Sequence, residues 1–219
     1  MRADFQHQLA SLRGDLAGMC ELAGNAVDHA TCGLLEIDAD VARRVSADVE
    51  RLRSLHNAVE RQTLGILARQ APVAGDLRTV VAGIHIAADA DRMGALASHI
   101  AKLCLRRHPE PVIPHEMRGL FQEMGRIAAG QAARCRVALL AGDAAEADRV
   151  RHENQSIEAL HQELFHVVTG PRWRHGPGAA ADVVLLGRFY GRFADHADGI
   201  ARRVIFQTGG TPVGRVHAV

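Results

Sequence analysis

Apolar positions recur at intervals of three and four along almost the whole chain. That is the period at which a helix turns one face to a core. The first run is Leu9, Leu12, Leu16, Met19, Leu22, Ala26, Ala30 and Leu34, and it predicts a helix over residues 4–36. Ile37 and Asp38 interrupt it. Asp38 suits the start of the next helix, because a short carboxylate accepts from the free N–H groups of a first turn. The second run, Ala42, Val45, Val49, Leu52, His56, Val59, Thr63 and Ile66, alternates three and four as a bundle helix does and predicts a helix over 39–69. Further helices are predicted over 74–106, 115–140, 144–168 and 179–208, the last stopped by Gly209 and Gly210. Helices this long need a face buried against neighbours. The fold class is therefore all-α.

The second and third helices meet at Pro72. Its ring cannot continue the incoming helix and drives Ala71 out of the α region. Asp76 follows, and then the stripe Leu77, Val81, Ile84 and Ala88, which Asp91 continues. Taking that stripe as the buried face, Asp91 must be paired, hydrated or metal-bound. Its neighbour Arg92 points elsewhere, so the partner should come from another helix.

Three prolines in residues 108–114 mark a linker. An internal repeat supports a division there. Leu34 and Leu35 match Leu139 and Leu140, Asp38 matches Asp143, Arg44 and Val45 match Arg149 and Val150, and Leu55 and His56 match Leu160 and His161, all at one offset. Asp91 to Ala101 likewise resembles Gly191 to Ala201. Duplicated units follow: a first three-helix bundle over 1–107, the linker 108–114, a second bundle over 115–210 and a tail over 211–219. The six helices are long and antiparallel.

Chemistry is sparse. His56 and His161 hold equivalent seam positions and read as partly buried histidines bonded to a neighbouring helix. Asn154 on its seam reads as a register residue. Candidate oxygen ligands for a hard metal are Asp48, Glu50 and Asp91 in the first unit and Glu153, Glu158, Asp195 and Asp198 in the second, with solvated or ion-paired carboxylates as the competing reading. Asp195 and Asp198 share a face, whereas Asp195 and His196 do not. No GxSxG, Walker A or GxGxxG motif occurs. The pairs Arg43 and Arg44, Arg106 and Arg107, and Arg202 and Arg203 read as solvated faces. A net charge of +1 gives no reason to expect nucleic acid. The start lacks a signal-peptide apolar region, and no apolar run is long enough to span a membrane. Cys20, Cys32, Cys104 and Cys135 show no CxxC pairing and read as free thiols in a reducing cytoplasm.

The corner carries a resemblance. Arg69, Gln70, Pro72, Ala74, Asp76, Leu77 and Arg78 resemble the PhoU family's signature Arg/Lys-Gln-x-Pro-x-Ala-x-Asp-Leu-Arg. Arg192 to Ala201, with Val204, Ile205, Phe206, Thr208 and Gly209 behind them, is similar to the family's Glu-Arg-Ile-Gly-Asp-His-x-x-Asn-Ile and helix end. The resemblance spans nearly the whole chain as two tandem PhoU-like three-helix bundles. It implies a cytoplasmic, non-catalytic regulator of phosphate homeostasis. Such a protein binds the phosphate ABC transporter's ATPase subunit, a sensor histidine kinase, or both, and restrains uptake and starvation signalling when phosphate is ample. It implies a homodimer, as in several relatives, and association with membranes only through those complexes.

The resemblance also implies one carboxylate-rich metal cluster per repeat, and here the chain departs. The family's Glu-x-x-x-Asp appears as Asp91 and Ala95 in the third helix and as Gly191 and Asp195 in the sixth. Its acidic positions in the second and fifth helices fall on Val49 and Asn154, beside Asp48 and Glu153. The remaining candidates are Asp48, Asp91, Glu153, Asp195 and His196. The expectation is that a divalent or ferric ion is held weakly or not at all and that the protein works as a scaffold. The alternative is a metal-dependent helical protein acting on phosphate compounds.

Overall fold

Local signals place the starts of the second and fifth helices, where Asp38 and Asp143 cap the first turn. In the computed structural model, which describes residues 2–70 and 72–209, the helices are α1 (Arg2–Glu36), α2 (Ala39–Gln70), α3 (Ala74–Arg107), α4 (Arg118–Ala141), α5 (Ala144–Thr169) and α6 (Gly176–Gly209). The expected tail 211–219, Gly210 and Ala71 lie outside the described residues. Among the described residues there is no strand, and no helix is long and apolar enough to cross a membrane.

The two short turns are twins. The Asp38 carboxylate accepts from the N–H groups of Asp40 and Val41, and Asp143 accepts from Ala145 and Glu146 in the same way. Before each cap one residue takes the left-handed conformation: Gly142 at φ 64° and Ile37 at φ 57°. Glycine adopts that geometry freely, whereas a β-branched residue is strained in it.

Two boundaries differ from expectation. The fourth helix opens with a separate 3₁₀ turn over His115–Met117. The sixth starts at Gly176, earlier than its apolar run, because Pro177 fits a first helical turn, where no N–H partner is needed.

α1, α2 and α3 form one three-helix bundle, and α4, α5 and α6 form the other. The bundles are joined along their lengths, α1 against α4 and α3 against α6. One continuous core runs through both, from Leu12, Leu16 and Met19 to Phe121, Tyr190 and Phe193. Val112 and Ile113 of the proline-rich connection are buried in it. Close approach of α1 and α4 depends on Gly125, where any Cβ would collide with the Thr31 side chain. Thr31 is itself hydrogen-bonded to the Tyr190 hydroxyl of α6 at 2.8 Å.

The second helix buries the seam its periodicity predicted, and the fifth buries its own three-and-four seam at Ala147, Val150, Ile157 and Leu164, with His56, His161 and Asn154 half-buried. The third helix is turned the other way. Leu77, Val81 and Ile84 are about two-fifths exposed, and Ala88 is exposed too. The buried face is Val80, Gly83, Ile86, Ala87, Ala90, Met93, Gly94 and Ala97. Small residues there let α3 lie close to its neighbours: Gly83 faces Leu12 and Leu16 of α1, and Gly94 faces Leu52 of α2.

Candidate functional site

The signature corner is a surface feature. Val73 is 73% exposed and precedes α3 without a side-chain cap. Ala74 opens the helix at φ 47°, and the Asp76 N–H closes the turn onto the Val73 carbonyl at 3.1 Å. Arg69 donates back to the Gly65 carbonyl. Pro72, Asp76 and Arg78 are half-buried, and the Arg78 Nε is buried with no hydrogen-bond partner among the described residues. Leu77 points outward. The Gln70 side chain lies outside the described residues.

The candidate ligands are dispersed, and each of the better-buried ones is engaged by a cation or an imidazole. Asp48 of α2 sits 2.7 Å from Nδ1 of His29 on α1. Asp91 lies 3.8 Å from Nδ1 of His56, so its nearest ionisable partner among the described residues does come from another helix. Glu153 of α5 accepts from Nε of Arg134 on α4 at 2.9 Å, and the same guanidinium donates to Glu146 at 2.7 Å. Glu146, then Glu153, raises the affinity of Arg134 for its proton. Asp198 is buried, accepts from Arg202 Nε at 2.7 Å and lies 3.4 Å from Arg151. Asp195 is exposed. His196 turns away from it and meets Asp89 of α3 at 3.0 Å.

Among the described residues no hydrogen bond or ion pair joins two of Asp48, Asp91, Glu153, Asp195 and His196, and no group of three His, Cys, Asp or Glu side chains is arranged to hold a metal ion. The donor set present does not fit a multi-carboxylate metal centre.

The repeat explains the layout. The offset of 105 that maps Asp38 onto Asp143 also maps His29 onto Arg134 and Asp48 onto Glu153, so one inter-helix pair occurs in both bundles with different bases. It maps His56 onto His161 as well. His56 faces Asp91, but in the match of the third helix to the sixth, which runs at an offset of 100, that position is Gly191. A cavity of about 30 Å³ remains there, lined by Asn154, His161, Arg188 and Asp195. The His161 Nε2 is buried without a partner among the described residues.

Two arginine pairs read as solvated faces also make ion pairs, Arg106 and Arg107 while remaining exposed and Arg202 and Arg203 while part-buried. Arg107 and Arg106 grip the buried Asp182 at the start of α6, the latter at 3.5 Å. Arg203 donates to Asp89 at 2.7 Å, and Arg202 holds Asp198. For Arg106, Arg107 and Arg203 the reason is geometric: α3 and α6 run antiparallel in contact, so arginines near the end of each helix reach a carboxylate near the start or middle of its partner, whereas Arg202 reaches Asp198 one turn back on its own helix. Arg43 remains on the surface, paired with Asp40 of its own helix.

Asp89, Asp182, Glu146 and Arg134 were not singled out from sequence. For Asp182 a signal existed, because it precedes Leu186, Tyr190, Phe193 and Ala197 on one helical stripe. For Asp89 none did, since only the α3–α6 pairing gives it partners.

Cys20, Cys104 and Cys135 are buried free thiols, and Cys32 is exposed. Burial, with a smaller push from Asp89, raises the Cys20 thiol to about 12, and burial raises Cys135 and Cys104 too. None of these buried thiols is activated as a nucleophile.

A family model described as the PhoU domain matches residues 16–104 and 121–204, one segment in each bundle. The protein named "Phosphate-specific transport system accessory protein PhoU homolog 2" of Mycobacterium tuberculosis is 46% identical over 210 residues, covering 96% of this chain and 99% of that protein. The homolog 1 of Mycobacterium leprae is 45% identical over 211 residues, covering 96% and 95%. In fold, the chain resembles the crystal structure of PhoU from Pseudomonas aeruginosa, with TM-score 0.84 at 22% identity over 94% of this chain and 100% of that one. It also resembles the phosphate transport system regulatory protein PhoU from Streptococcus pneumoniae, with TM-score 0.85 at 21% identity over 97% and 100%.

Proposed function

The chain belongs to the PhoU family, and on that footing we propose that it restrains phosphate uptake and phosphate-starvation signalling when phosphate is ample. It does so by binding the ATPase subunit of the phosphate ABC transporter, a sensor histidine kinase, or both. The family acts in phosphate regulation without catalysis. The observation that carries the assignment to this chain is the 46% identity, over nearly the full length of both chains, to a protein named as a phosphate-specific transport system accessory protein.

The physical features agree with a scaffold. Buried carboxylates are tied up in ion pairs, buried thiols are unactivated, and long helices present their outer faces to solvent. The proposed setting is the cytoplasm, as a homodimer, touching membranes only through the transporter or the kinase.

The test is a pull-down with the full chain from phosphate-replete and phosphate-starved cells. The transporter ATPase or the sensor kinase is expected to co-purify, in amounts that change with phosphate. Recovery of neither in both states, together with unchanged phosphate-responsive expression in a deletion strain, overturns the proposal.

A further inference from the structure

Glu146 of α5 and Asp198 of α6 are two well-buried carboxylates of the second bundle. Glu146 has a side chain only 14% exposed, and Asp198 one 10% exposed. Carboxylates withdrawn from water this far need a positive partner. A bound metal ion could supply it, but the partner here is a set of arginine side chains of the same chain. Arg134 reaches from α4 across to α5 and bridges Glu146 and Glu153 with two different nitrogens. Arg149 meets the second Glu146 oxygen at 2.9 Å. On the other side of α5, Arg202 and Arg151 converge on the two oxygens of Asp198.

Three carboxylates thus face four guanidinium groups. A divalent or trivalent ion entering either cluster would displace a directed ion pair and then sit beside the displaced positive charge. The first bundle shows the same substitution in weaker form. His29 occupies the position equivalent to Arg134 and holds Asp48.

We propose that fixed guanidinium groups replace a metal ion in the second bundle: Arg134 between Glu146 and Glu153, and Arg202 with Arg151 on Asp198, make this bundle metal-independent. The bundle takes its cation from its own side chains, and its regulatory surface is set without regard to iron or manganese supply. The inference concerns charge within the fold. Its test reads metal content and melting, so it stands or falls separately from the transporter and kinase partners.

The experiment uses untagged full-length protein from cells grown with added iron, manganese and zinc. Elemental analysis is expected to find less than about 0.1 metal ion per chain. The melting temperature should move by less than about 1 °C with EDTA, Mn²⁺ or Fe³⁺, since an ion that binds the native state raises it by mass action. Arg134→Gln should lower it by about 3–5 °C, because two carboxylates lose their partner in a site open enough for partial hydration. Adding Glu153→Gln to that variant should recover part of the loss, and Arg134→Lys should lose less than Arg134→Gln. Stoichiometric metal in the wild type, or a wild-type melting temperature raised by metal, overturns the proposal. So does an Arg134→Gln protein as stable as the wild type. If Arg134→Gln alone is too unstable to purify, the Arg134→Gln/Glu153→Gln protein must fold, and its failure to fold overturns the proposal equally.

Discussion

Asp38 shows how one side chain sets both a boundary and a pH response. Its carboxylate accepts from the Val41 and Asp40 N–H groups, and these two bonds, Val41 first, hold its carboxyl below the ordinary carboxylate range. A group depressed in the folded state contributes fully above its unfolded value of about 4. The contribution disappears as pH falls through the lower folded value. Asp38→Ala should therefore destabilise the protein at neutral pH, and the gap to wild type should narrow toward strong acid. Urea melts of both proteins at about pH 7, 5 and 3 check this, and a gap that widens with acid contradicts it. The residue was legible in sequence because a cap acts locally: Asp38 follows the end of one apolar run and opens the next. The strain at Ile37 was not legible, since only its twin Gly142 shows that the turn requires a positive φ.

At the scale of an element, α3 separates what periodicity reveals from what it hides. It carries bulky apolar residues on both faces, Val80, Ile86 and Met93 inward and Leu77, Val81 and Ile84 outward. Period alone therefore finds the helix without orienting it. The inner face is the one rich in Gly and Ala, because α1 and α2 approach it closely at Gly83 and Gly94. The bulkier stripe reads as core from sequence and proves to be surface. Val81→Ser and Ile84→Ser should each cost less than about 1 kcal/mol, whereas Ile86→Ala, at a fully buried position, should cost about 2–4 kcal/mol. Chemical denaturation of the three variants decides which face is core. Comparable losses at Ile84 and Ile86 would reverse the orientation. The seams of α2 and α5 were legible because their outer faces are charged. The ion pairs of the candidate site were not, because Arg134–Glu153 depends on how α4 packs against α5 and Arg203–Asp89 on which helices of the two bundles touch.

At the scale of the molecule, the duplicated bundles share one core, and polar links cross between them. Thr31 of α1 bonds Tyr190 of α6, Asp89 of α3 bonds His196 and Arg203 of α6, and Arg106 and Arg107 of α3 hold Asp182 of α6. A chain with these links should not melt one repeat at a time, since exposing either bundle opens the α1–α4 and α3–α6 faces of the other. Asp182 is the sharpest place to test this. Its side chain is 8% exposed, and its partners belong to the opposite bundle. Asp182→Ala leaves two guanidinium groups without their carboxylate. Because both arginines are partly in water, the expected loss is about 1–3 kcal/mol, seen as a fall of roughly 3–10 °C in melting temperature. The single tryptophan, Trp173, reports on the second bundle, while far-ultraviolet circular dichroism reports on all six helices. In wild type the two signals should melt together. In Asp182→Ala they should still coincide at the lower temperature, because the continuous core, not this one ion pair, carries the cooperativity. If the tryptophan transition separates from the helical one in the wild type, the bundles are independent folding units. If it separates only in Asp182→Ala, the cooperativity resides in the α3–α6 ion pairs rather than in the shared core.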